Sequence, residues 1–166
     1  MNIWLLALSY WIHLLATIIW LGGLALFVLV AVPAVRQGTL AENQWIAVQK
    51  KFMPWANGSL VILLISGFVQ MTNDSHYNGF LQLDSTWAWA MLLKHVAFVG
   101  MVAVSFYTQA YLHPAMDRVA LLMETKPKVA EGELALLAQR EKRLLRLNVG
   151  CALLVLLFTA VATAIQ

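Results

Sequence analysis

The stretch that decides the fold is residues 3–32, IWLLALSYWIHLLATIIWLGGLALFVLVAV, which contains no Asp, Glu, Lys or Arg. At about 1.5 Å per residue, a helix of this length exceeds the ~30 Å hydrocarbon core of a bilayer. The run ends at Pro33, and proline cannot donate the backbone hydrogen bond of a helix interior. The stretch therefore predicts a membrane-spanning helix that tilts or protrudes.

Three further apolar runs predict three more spans, at about residues 55–72, 87–112 and 147–165. The second run follows Pro54, a residue type that is favoured in the first turn of a helix. The third run stops before Pro114. We number the four predicted spans one to four in chain order.

The composition of the whole chain also indicates a membrane protein. Of its 166 residues, 61% are hydrophobic and 11% are charged, whereas a soluble domain is about 45–50% apolar and about 25% charged. This excludes a soluble globule and a nucleic-acid-binding tail. We predict an all-α integral membrane protein, a four-helix bundle that forms a single membrane domain over residues 1–166.

The charges of the connecting segments predict the orientation. Three Lys or Arg residues lie between spans one and two and seven between spans three and four, whereas residues 73–86 carry two Asp and no Lys or Arg. Positively charged loops stay in the cytoplasm. We therefore expect loop 73–86 and both termini to lie outside, with the lipid bilayer of a bacterial inner (plasma) membrane around the spans.

Both cytoplasmic segments carry helix signals. Thr39-Leu-Ala-Glu42 has the capping-box pattern and predicts a short surface helix that runs towards Lys51. Residues 129–147 mix leucines with alternating acids and bases. We interpret them as an amphipathic helix that continues into span four, with its basic end at the lipid headgroups.

Three ionisable residues lie deep within the predicted spans: His13, Lys94 and His95. Such groups are costly in hydrocarbon and are functional candidates by default. His13 lies about 15 Å from the outer end of span one, and His95 about 12 Å from the outer end of span three. Two imidazoles at similar depth on different helices predict the axial ligands of one haem iron.

Other residues fit a haem pocket. Trp20 and Gly23 follow His13 along span one, Phe98 continues the face of His95, and Lys94 is a cation that a haem propionate would neutralise. The alternatives are that Lys94 extends to the outer headgroups, and that both histidines bond to the backbone or to neighbouring polar side chains, which are Ser9, Ser66 and Gln70. With a single cysteine, Cys151, a covalent CxxCH haem site is excluded.

A second, weaker metal candidate is His113, at the inner end of span three, and Cys151 is expected near it in depth. The simpler interpretation of His113 is an interfacial residue. The seven methionines are scattered and form no series of soft copper ligands.

Several motifs resemble the copper-resistance-D (CopD) family of four-helix membrane proteins. They are His13-x6-Trp20-Leu-Gly-Gly23 followed by Pro33, Leu92-Leu-Lys94 followed by Leu112-His-Pro114, and Arg143-Leu-Leu-Arg146 leading into the last span. The resemblance covers essentially the whole chain and implies copper uptake or handling.

The spacing of His13 and Trp20, with Lys94 in span three, also resembles the HemJ-type protoporphyrinogen oxidases. That resemblance implies a porphyrin pocket in which His13 and Lys94 are essential. Our main hypothesis is therefore a non-covalent haem b protein for electron transfer, ligated by His13 and His95, with a quinone or another membrane redox subunit as partner.

The first alternative is a copper-handling protein with His13, His95 and Met91 as ligands. The second is a non-catalytic accessory subunit of a larger membrane complex. Enzymatic activity stays open, and porphyrinogen oxidation ranks below these hypotheses.

Overall fold

The computed structural model describes residues 2–77, 79, 83–123 and 126–165, and the regular structure within these ranges is entirely helical. Four helical stretches in them are long and apolar enough to cross a membrane: Ile3–Arg36, Gln44–Thr72, Thr86–Leu122 and Pro127–Ala164. The predicted all-α fold with four membrane-spanning helices is confirmed. The chain divides into two compact units, Met1–Gln82 and Leu83–Gln166, and the single domain stays a prediction.

The first unit is a helical hairpin. Helix α1 (Ile3–Leu26) leads through a π-helical turn (Phe27–Ala31) into the short helix α2 (Val32–Arg36), and helix α3 (Glu42–Thr72) returns along α1. Gly38, just after α2, has a φ of 72°, a left-handed conformation that glycine adopts at helix ends without strain.

The second unit repeats this order. Helix α4 (Thr86–Tyr107) leads through a π-helical turn (Thr108–Leu112) into α5 (His113–Leu122). Helix α6 (Pro127–Ala164) then packs along both α4 and α5. The amphipathic segment and span four are one continuous helix, as predicted, while the cytoplasmic position of the segment stays a prediction.

Pro33 and Pro114 do not end their helices, contrary to prediction. In each unit the π-helical turn stands just before the residue that precedes the proline, and its hydrogen bonds reach five residues back, from Val32 N–H to Phe27 O and from His113 N–H to Thr108 O. Because the hydrogen bonds of this wider turn reach five residues back, the helix continues although proline has no backbone N–H to donate. Both helices therefore continue.

Helix α3 also differs from its prediction at its start. Pro54 lies inside α3, because the helix already runs from Glu42 and the buried Trp45 packs edge-on against Phe27 at 5.0 Å. The predicted capping box is wrong. Thr39 Oγ1 instead donates to Ala34 O at 3.0 Å, which closes the turn after α2.

Small residues line the helix contacts in both units. Ala16, Ala56 and Ser59 are buried in the first unit, and Ala97 and Ala152 in the second. Small side chains let membrane helices approach closely. Large apolar side chains are widely exposed on all four spans, which is the surface that a lipid bilayer requires.

Candidate metal-binding residues

His13 lies on the face of α1 that packs against α3, and it is half-buried. Its Nδ1 is 2.8 Å from Ser66 Oγ, and Ser66 Oγ itself donates to Ile62 O at 2.5 Å. A serine hydroxyl has one proton. Because that proton goes to Ile62 O, Ser66 accepts from His13, so Nδ1 carries the proton and the neutral ring has its lone pair on Nε2.

Further hydrogen bonds join α1 and α3 next to this imidazole. Ser9 Oγ donates to Ser66 O at 3.5 Å, and Gln70 Nε2 donates to Ser9 O at 3.3 Å. A Cβ at Gly67 would lie 3.5 Å from His13 Cε1, so the ring packs directly on the backbone of α3. The hydrogen bond between His13 and Ser66 that the alternative named is therefore present, and metal binding by His13 stays a prediction.

Trp20 and Gly23 continue the His13 face of α1, and both are buried. A Cβ at Gly23 would overlap the Phe52 ring of α3. The close approach that Gly23 permits is therefore made by a phenylalanine of the same unit. A role of either residue in cofactor binding stays a prediction.

His95 is half-buried on α4. Its Nδ1 is 2.6 Å from Met91 O, one turn earlier on the same helix. A carbonyl oxygen only accepts, so Nδ1 carries the proton here too, and the neutral ring has its lone pair on Nε2. Metal-ligating histidines characteristically donate their other N–H to a carbonyl or a similar acceptor in this way.

Lys94 and Phe98 are also half-buried on α4. Within the described part of the chain, no ion pair to the Lys94 ammonium is present. A propionate partner for Lys94 and a pocket wall at Phe98 stay predictions.

His113 begins α5 and lies opposite α6, where its Nε2 is 4.0 Å from Glu141 Oε1. Both side chains are mostly buried. Cys151 lies elsewhere on α6, since its Sγ is 3.4 Å from the position of a Cβ on Gly100. The expectation that Cys151 is near His113 in depth is wrong: in the antiparallel pair, Gly100 precedes His113 by more than three helical turns.

A buried polar contact that sequence reasoning missed joins α4 and α6. Asn148 Nδ2 donates to Ser105 Oγ at 3.2 Å, and both residues are buried. The signal was an asparagine inside an apolar span, a residue type that is costly in hydrocarbon without a partner.

The segment between the second and third spans, which is predicted to lie outside, carries His76, whose Nδ1 is 3.1 Å from Asp74 Oδ1. Two residues within one turn make a local contact. Among the described residues, no group of three or more His, Cys, Asp or Glu side chains is placed to hold a metal ion.

Comparison with known proteins gives one family. The family model described as copper resistance protein D matches residues 46–162, more than half of the chain. The matched range contains Lys94, His95 and His113, whereas His13 precedes it. Neither the comparison with curated proteins nor that with solved structures finds a match.

Proposed function

Because the chain belongs to the copper resistance protein D family, we propose that it binds copper ions within the membrane and carries them across, with His13 Nε2 and His95 Nε2 as copper ligands. Its place in a copper-resistance family follows from the family match, and the four apolar spans make it a membrane protein. The ligands and the transport are the proposal.

The hydrogen bonds of the two histidines support the proposal, because they give both rings the same tautomer. Ser66 holds His13 with its proton on Nδ1, and Met91 O does the same for His95. A neutral imidazole that donates from one nitrogen presents the lone pair of the other, and imidazole is a suitable ligand for copper. Each unit thus holds one histidine with this hydrogen-bonding pattern inside a span.

The position of the two ligands suits the uptake of a cation. His13 lies ten residues after the start of α1 and His95 nine residues after the start of α4, depths of about 15 Å and about 14 Å along their helices. An ion at such a depth has lost its bulk water, and nitrogen donors offset part of that cost.

Haem b with His13 and His95 as axial ligands stays a rival prediction, because the same Nε2 lone pairs would serve iron. The optical spectrum of the purified protein separates the two. Reduced-minus-oxidised bands of haem b, which disappear in His13→Ala and weaken in Lys94→Met, would overturn the copper proposal. Copper content without those bands supports it.

An accessory subunit without a ligand of its own is the remaining rival. Purification as a stable complex with neither copper nor haem would favour it over the copper proposal. The optical spectrum also tests the quinone or redox partner of the haem hypothesis, because electron transfer to such a partner requires a redox cofactor.

Copper uptake into proteoliposomes tests the function itself. The purified full chain should accumulate copper, and His13→Ala and His95→Ala should each reduce the rate strongly. His76→Ala is the matched control, because His76 lies in the segment between the second and third spans and contacts Asp74, and its rate should equal that of the wild type. Equal rates for all three variants would contradict the proposal.

A further inference from the structure

The contact between α4 and α6 contains a second group of donor atoms, which does not include His95. Cys151 lies on the α4 side of α6, with its Sγ 3.4 Å from the Cβ position of Gly100. Asn148 lies one turn before Cys151 and reaches Ser105 on α4. The thiol and the amide therefore lie along the same helix contact.

Met101 adds a second sulfur atom to this region. It follows Gly100 on α4 and is 2% exposed, less than any other methionine in the described chain. His95 lies six residues earlier, about a third of a turn around α4 from Met101. Met101 is therefore buried next to the glycine that faces Cys151, and His95 lies on a different face of α4.

The amide oxygen of Asn148 points to a ligand in this contact. The residue is 8% exposed, and its Oδ1 is buried and accepts no hydrogen bond within the described part of the chain. A buried acceptor without a partner destabilises a protein. Since Nδ2 donates to Ser105 across the contact, Oδ1 lies in the same space between the helices, where a bound cation would satisfy it.

We propose that Cys151 Sγ and Met101 Sδ bind one Cu(I) ion between α4 and α6, with Asn148 Oδ1 as a weak third ligand. Thiolate and thioether are the soft ligands that select Cu(I), and an amide oxygen serves as a weak, distant ligand in other copper–thiolate sites. The inference deepens the proposed function, on which it rests, by assigning a second site and an oxidation state to the copper ion.

The binding step involves no electron transfer. A Cu–S bond forms to Cys151 as its S–H bond breaks, and the proton leaves to water, so one proton is released for each ion bound. Met101 and Asn148 donate lone pairs and release none.

The test is the copper X-ray absorption spectrum of the full chain in detergent, loaded with Cu(I) under a reductant and against a competing chelator. It is recorded in the wild type and in a His13→Ala/His95→Ala background, which removes the proposed nitrogen ligands. We expect sulfur scattering in both. Cys151→Ser should lower the number of sulfur atoms around copper by removing the thiolate, as should Cys151→Ala if the serine variant folds poorly, because Cys151 is the one cysteine of the chain.

Met101→Leu nearly conserves volume and should weaken Cu(I) binding in that background by at least about tenfold. The matched control is Met116→Leu, a buried methionine on α5, which should leave the affinity unchanged. A spectrum without sulfur scattering, or one unaltered by the loss of Cys151, would overturn the inference and leave the histidine proposal standing. Sulfur scattering in the spectrum, together with histidine variants that take up copper at the wild-type rate, would support the inference and overturn the histidine ligands of the proposed function.

Discussion

Ser66 Oγ lies 2.8 Å from His13 Nδ1 and donates its only proton to Ile62 O at 2.5 Å. The serine on α3 therefore fixes the tautomer of the histidine on α1. A residue on α3 thus decides which nitrogen of the histidine on α1 carries the proton.

Ser66→Ala should weaken copper binding at His13 without removing a ligand. Without the Ser66 hydroxyl, the His13 ring can change its tautomer and orientation. Hydrogen-bond partners of metal-binding histidines typically contribute about 10- to 100-fold to the metal affinity. The measurement is a competition titration of the purified protein. Ser59→Ala is the matched control, since Ser59 is also buried on α3 and bonds to Trp55 O, away from His13. Equal losses in both variants would show a general packing effect instead.

Two adjacent glycines of α1 should respond oppositely to alanine. A Cβ at Gly23 would overlap the Phe52 ring, whereas at Gly22 nothing lies within 4 Å. Gly23→Ala should lower the free energy of unfolding by about 1–3 kcal/mol through overpacking. Gly22→Ala should leave it unchanged or raise it by up to about 1 kcal/mol through helix propensity. Thermal unfolding in detergent compares the two variants. A greater loss of stability in Gly22→Ala would contradict the contact with Phe52.

His113 and Glu141 should stabilise the second unit as a pair. Both side chains are mostly buried, and Nε2 lies 4.0 Å from Oε1. A double-mutant cycle with His113→Ala and Glu141→Ala should give a coupling free energy of about 0.5–3 kcal/mol. A coupling of zero would contradict the contact.

The orientation predicted from charge is tested by cysteine labelling. In a Cys151→Ala background, a membrane-impermeant thiol reagent added outside intact cells should label Ser75→Cys in the segment between the second and third spans and leave Gln37→Cys unlabelled. The physical reason is that the basic connecting segments stay in the cytoplasm. Labelling of Gln37→Cys alone would place the chain in the opposite orientation.

The sequence predicted the four spans well, because an uncharged apolar run longer than a bilayer has few other stable conformations in lipid. The ends of the spans were predicted less well. Pro33 and Pro114 indicate a helix end on local grounds, yet each follows a π-helical turn that lets the helix continue. In both units the π-helical turn comes just before the residue that precedes the proline, so the proline that predicts a helix end marks the place where the helix widens and continues.

The candidate site was predicted in part. His13, Lys94 and His95 stand out because ionisable groups are rare in apolar runs. The serine that fixes His13 was one of several polar candidates, and only the register of α1 against α3 selects Ser66. Cys151 was expected near His113, and the register of α4 against α6 places it opposite Gly100. Such registers depend on contacts between residues far apart in the chain.

The most direct measurement of the central claim is the equilibrium affinity of the purified full chain for copper, determined by chelator competition for the wild type, His13→Ala, His95→Ala and His76→Ala. His13→Ala and His95→Ala should each bind copper at least about tenfold more weakly than the wild type, while His76→Ala should match the wild type. Affinities equal to that of the wild type in both His13→Ala and His95→Ala would contradict the claim that these histidines are copper ligands.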